Sequence, residues 1–66
     1  MSKIIDDFQV YNFRVIRVES IPDMIFSKVK IDGDIFLLVP TYDIENCVAF
    51  EYDGDKSFTG KDVEFI

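Results

Sequence analysis

From Asp53 to Glu64 the chain sets oxygen-bearing side chains at the spacing of a calcium loop, with Asp53, Asp55 and Ser57 at the first, third and fifth positions and Glu64 at the twelfth. Such a loop needs glycine at its sixth position for a sharp turn, and Phe58 stands there. Lys56 and Lys61 would also bring positive charge into the cage. The segment therefore reads as an acidic hairpin turn and its exit, with no metal. Histidine is absent, which removes the commonest general base and the commonest zinc ligand. Cys47 is the only cysteine, so it has neither a disulfide partner nor a base to activate it, and it reads as a small buried apolar residue. Gly60-Lys61 lacks the preceding glycine and the following Ser or Thr of a phosphate-binding loop. Thirteen acids invite a search for a glycosidase-type carboxylate pair, but 66 residues leave no length for a sugar-binding cleft. No catalytic residue, cofactor or metal is expected, and the chain reads as non-enzymatic.

Charge is unevenly distributed. The net charge is −6, yet residues 1–31 sum to +1 and residues 32–66 to −7. In the first half Arg14, Arg17, Lys28 and Lys30, with Phe26 among them, could compose a basic sheet face of the sort that holds single-stranded nucleic acid. The field of the whole molecule opposes phosphate binding, so these side chains read first as the solvated side of a sheet. In the second half, turns account for Asp32, Asp34, Asp53 and Asp55. Asp43, Glu45, Glu51, Asp62 and Glu64 lie outside those turns and form a candidate acidic interaction surface; their ordinary role is solubility.

The elements that must position these residues are strands. Ile, Val, Phe and Tyr supply 26 of the 66 residues, whereas Ala occurs once and Leu twice. The run Phe8 to Val18 shows strand alternation with phase slips, which predicts a strand with a bulge or bend near Asn12 or Ile16; a helix over Ile4 to Tyr11 is the alternative. Ser20-Ile21-Pro22-Asp23 marks a turn. Asp32-Gly33 between two alternating runs predicts a two-residue hairpin that sets Ile31 opposite Asp34, Lys30 opposite Ile35, Val29 opposite Phe36 and Lys28 opposite Leu37. Both faces of Ile35 to Val39 are apolar, which predicts a central strand covered on both sides. Pro40 to Asn46 forms a connection, and Cys47 to Tyr52 alternates with Val48, Phe50 and Tyr52 inward. Asp53-Gly54 predicts a second hairpin with Glu51 opposite Lys56, and Val63 and Phe65 mark a short last strand.

The expected fold is all-β: one small domain over residues 1–66, a highly curved antiparallel sheet or barrel of about five strands, SH3-like or OB-like, with a short N-terminal helix as a variant. Two acids early in the N-terminal segment and no apolar run longer than Ile35 to Val39 argue for a cytoplasmic protein, neither exported nor membrane-anchored. So small a core gains from self-association. The expected function is a protein-interaction module with a protein partner, homodimeric in one version. The alternative is an acidic inhibitor or nucleic-acid mimic, of the phage or mobile-element type, that blocks a basic site on a nucleic-acid enzyme. Nucleic acid itself is the less expected partner. If Asp53 to Glu64 is a turn and not a cage, millimolar calcium leaves the melting temperature unchanged in a thermal scan, whereas a bound ion would raise it by mass action.

Overall fold

The computed structural model describes residues 2–40 and 45–66. The clearest sequence signal is the clearest local structure. Strands β3 (Lys28–Ile31) and β4 (Asp34–Val39) join through Asp32 at φ 53° and Gly33 at φ 85°, and their four cross-strand pairs are those the Asp-Gly turn predicts.

The first apolar run is two strands, β1 (Ser2–Val10) and β2 (Phe13–Val18), and Val10 faces Phe13 across the two-residue turn Tyr11-Asn12. The phase slip in the sequence marks that turn, which Tyr11 enters at φ 56°. A further irregularity lies between Ile4 and Asp6. The helical alternative over Ile4 to Tyr11 is thereby corrected. Residues rich in β-branched and aromatic side chains pair with β2 on one side and β6 (Asp62–Phe65) on the other, and no helix occurs among the described residues. With β5 (Cys47–Glu51) the strands number six among the described residues, within the sequence's expectation of about five, the sixth arising because the first run folds back on itself.

All six strands pair antiparallel in the order β1-β2-β5-β4-β3-β6, and β6 also pairs with β1, so the sheet forms a closed barrel. Strands β3, β4 and β5 run as a meander, and β2 lies beside β5 in Greek-key fashion. Residues 19–27 must therefore carry the chain from β2 to the far side of the ring. Closure leaves no full-length free edge for another chain to extend.

Inward-facing side chains follow the strand period of two. Ile16 and Val18 of β2, Val29 and Ile31 of β3, Val48 and Phe50 of β5, and Val63 of β6 are buried together with Ile4 and Phe58. Phe50 stacks on Phe36 with ring centroids 4.4 Å apart, and Tyr52 and Phe58 meet both rings edge-on. Each such side chain contributes on the order of 1.5–3 kcal/mol by leaving water, which is how so short a chain supports a core without a disulfide. On the opposite face of β2 and β5, Val15, Cys47 and Ala49 form a smaller buried group with Val39.

Two expectations fail here. Strand β4 is central in hydrogen bonding, but its outer face is uncovered, with Ile35 58% and Leu37 67% exposed. The second Asp-Gly pair makes no hairpin: residues 52–58 hold no strand, Gly54 is not at positive φ, and Lys56 pairs with Asp32 at 3.5 Å in place of Glu51. The ring of Tyr52 folds back over Gly54, whose missing Cβ leaves room for it. No helix among the described residues is long and apolar enough to cross a membrane.

A methyl group at Gly33 would meet nothing within 4 Å, so any penalty there is purely one of backbone conformation. Gly33→Ala is expected to lower the unfolding free energy by about 1 kcal/mol in urea titration, with no change in slope.

Candidate interaction surface

The most polar part of the interior lies at the end of the barrel where β1 turns into β2. Arg14 has the same strand parity as Ile16 and Val18, so it points inward with them and is 6% exposed. A guanidinium there must have partners. Its Nη1 donates to Asp7 Oδ2 at 2.6 Å and to the Lys56 carbonyl at 2.6 Å, its Nε to Gln9 Oε1 at 2.7 Å, and its Nη2 to the Gly54 carbonyl at 3.2 Å. The charge also sits 5.1 Å from the centre of the Tyr52 ring and 5.5 Å from that of Phe58.

Asp7 is gathered in turn by the segment that follows β5. Its carboxylate accepts from Ser57 Oγ and the Phe58 N–H, both at 2.9 Å, and from Thr59 Oγ1. Burial pushes the Asp7 carboxyl up, but the hydrogen bonds from Thr59, Phe58, Ser57 and Arg14 outweigh it and hold the group at about 2. Gln9 extends the network by donating to the carbonyls of Tyr11 and Tyr52. Beside it, Asp32 accepts from Lys61 at 2.7 Å, and that hydrogen bond leads the lowering of its pKa. The whole arrangement clamps residues 52–61 across the barrel end. Ser57, an oxygen donor of the calcium-like spacing, is committed to Asp7 together with Thr59, and among the described residues no three acids, histidines or cysteines are placed to share an ion. No buried side-chain nitrogen or oxygen among the described residues lacks a partner.

The ring separates the residues that charge alone would group. Of the basic set, Arg14 is inside, which corrects its place on a solvated face; Arg17 is exposed on β2, and Lys28 and Lys30 are exposed on β3, three strands away. Of the acidic set, Asp62 and Glu64 are exposed on β6, Glu51 on β5 at the opposite side of the ring, and Glu45 in the turn before β5. Asp43 lies outside the described residues. Cys47 is buried, and burial pushes its thiol up.

What the sequence reading missed is the outer face of β5, β4 and β3. Leu37 and Ile35 stand there beside Lys28 and Lys30 on one side. On the other side, the pairing of Leu38 with Phe50 brings Glu51 next to Leu37. Glu51 and Asp53 border one shallow depression with Asn12 and Tyr52. Elsewhere Phe8 and Val10 of β1 are half-exposed, and Tyr11 and Ile25 stand almost wholly in solvent at 93% and 98%. An open cleft of about 410 Å³ between the 20–24 turn and β6 is lined by Ser2, Ser20, Pro22, Met24, Glu64 and Phe65, among others. The signal for the β4 face was present in the Lys-apolar pairing that the Asp-Gly register fixes; the error was to assume a cover.

No protein-family model, curated protein or solved structure matches this chain significantly.

Because the native carboxyl of Asp7 titrates at about 2 against an ordinary 3.8, its contribution is complete above about pH 4 and is lost as pH falls through 2. Asp7→Asn is expected to be less stable than the wild type at neutral pH by about 2 kcal/mol or more, with the gap closing between pH 4 and pH 2 in denaturant titrations. A gap independent of pH would mean that the carboxylate charge is not what the site stabilises.

Proposed function

We propose that this chain is a non-enzymatic protein-interaction module, a small SH3-like or OB-like barrel that works in the cytoplasm without a cofactor and binds through the outer face of β5, β4 and β3. The observation that carries the reading is the exposure of Leu37 and Ile35 on a strand held by β3, because large apolar side chains fixed in water are the usual centre of a protein contact. Lys28, Lys30 and Glu51 supply the polar rim such contacts have. Among the described residues the polar side chains that converge in the interior, Asp7, Gln9 and Arg14, are spent on one another and on the 52–61 segment.

The mimic reading, an acidic inhibitor of a nucleic-acid enzyme, asks for a continuous row of carboxylates. It draws support from the net charge of −6, but Glu51 and the Asp62-Glu64 pair stand on opposite sides of the ring. A photo-crosslinking residue placed at position 37 or at position 62 separates the two readings. The module gives discrete protein adducts from position 37 that persist at high salt; adducts from position 62 alone, fading as salt rises, would favour the mimic.

A further inference from the structure

We infer that Asp53-Gly54 is a site of spontaneous backbone modification, where the aspartate isomerises to isoaspartate, while the same dipeptide at Asp32-Gly33 is held intact by the fold. An Asp-Gly bond is the most open to this chemistry, because glycine sets no Cβ beside the attacking nitrogen. The Gly54 nitrogen bonds to Cγ of the protonated Asp53 carboxyl, the carboxyl C–OH bond breaks, and the hydroxyl leaves as water with the amide proton. A cyclic imide results. Water then adds at one of the two imide carbonyls and a C–N bond breaks. Opening at the original backbone carbonyl leaves the chain running through the Asp53 side chain, with the former backbone carbonyl as the new carboxylate. Mass is unchanged, nothing is oxidised or reduced, and water is the only co-reactant.

The two Asp-Gly pairs stand in different surroundings. Asp32 and Gly33 are both left-handed, at φ 53° and 85°, in a turn that the four cross-strand pairs of β3 and β4 hold fixed. The Asp32 carboxylate accepts from Lys61 at 2.7 Å, with Lys56 at 3.5 Å, and this pairing favours the ionised form over the acid that reacts. Asp53 has neither restraint. It follows the end of β5, within residues 52–58 that hold no strand, and is exposed at the shallow depression it shares with Asn12, Glu51 and Tyr52. Its side chain makes no hydrogen bond or ion pair among the described residues. The Gly54 N–H has no backbone acceptor among them either, so the nitrogen turns toward Cγ without giving up a bond.

The modification falls on the clamp around Arg14. The Tyr52 N–H donates to the Asn12 carbonyl at 3.0 Å, and the Gly54 carbonyl accepts from Arg14 Nη2 at 3.2 Å. An added methylene between these two anchors shifts the Gly54 carbonyl off the guanidinium, and a buried charge loses an acceptor.

Ageing the full chain in warm neutral buffer, folded and in urea, with isoaspartate located by fragmentation mass spectrometry, tests the inference. In the folded protein isoaspartate is expected to accumulate at position 53 severalfold faster than at position 32, and in urea at similar rates at both. Asp53→Glu, at an exposed position, supplies a chain that does not age there, because glutamate must close a larger and slower ring. The isomerised wild-type chain, separated by chromatography, is expected to melt lower by roughly 4 °C or more, while Asp53→Glu aged alongside keeps its melting temperature. No isoaspartate at position 53, or a ratio between the two positions that is the same folded as in urea, overturns the inference. An isoaspartate form that melts with the unaged chain overturns its effect on the clamp.

Discussion

A guanidinium enclosed in a barrel of six short strands is the constraint around which this protein is arranged. Arg14 cannot leave the interior without reversing the parity of β2, because Ile16 and Val18 point the same way and build the core. Its charge is tolerated only because Asp7, Gln9 and two backbone carbonyls converge on it. Those carbonyls belong to Gly54 and Lys56, and Asp7 takes the N–H of Phe58, so satisfying one side chain of β2 draws in the segment between β5 and β6. Phe58 is thereby delivered to the aromatic cluster, with its ring 5.8 Å from those of Phe36 and Phe50. β6 is then in place to close the ring between β3 and β1. A polar requirement and an apolar gain are met by the same ten residues.

That arrangement decides where function can reside. A cavity with unpaired donors or acceptors would suggest a ligand; here the buried donors and acceptors of the described side chains answer one another. On the reading proposed above, the chemistry left for a partner lies on the outside, on the sheet. Strand β4 gives the most regular display, since pairing with β3 holds Ile35 and Leu37 in fixed alternation with the inward-facing Phe36 and Leu38.

Local rules made much of this legible in the sequence. The Asp32-Gly33 turn, its register, the alternation of β5 and the last short strand follow from turn chemistry and period-two patterning alone. Other features depended on information that no local pattern holds. Tyr11-Asn12 carries a hairpin although its first residue is a bulky aromatic in the left-handed region, a position where Asn or Gly would have announced the turn. Asp53-Gly54 shows the converse: a strong local signal gives way because Arg14 takes the Gly54 carbonyl and Tyr52 packs onto the glycine. Arg14 itself was readable through its phase with Ile16 and Val18, but a charge at an inward position is believed only once its partners, Asp7 and Gln9 on another strand, are seen. Ring closure places β5 opposite β6, which is why acids adjacent in the sequence half are not adjacent in space.

The central claim, that the Asp7-Arg14 pair makes residues 52–61 an integral part of the barrel and not a loop laid on it, is tested most directly by native-state hydrogen exchange at the Phe58 amide. If that amide is locked by Asp7, it exchanges with the same free energy as the core amides of β2 and β5, through global unfolding. Exchange at a much lower free energy, by local opening while β2 and β5 stay protected, would contradict the account.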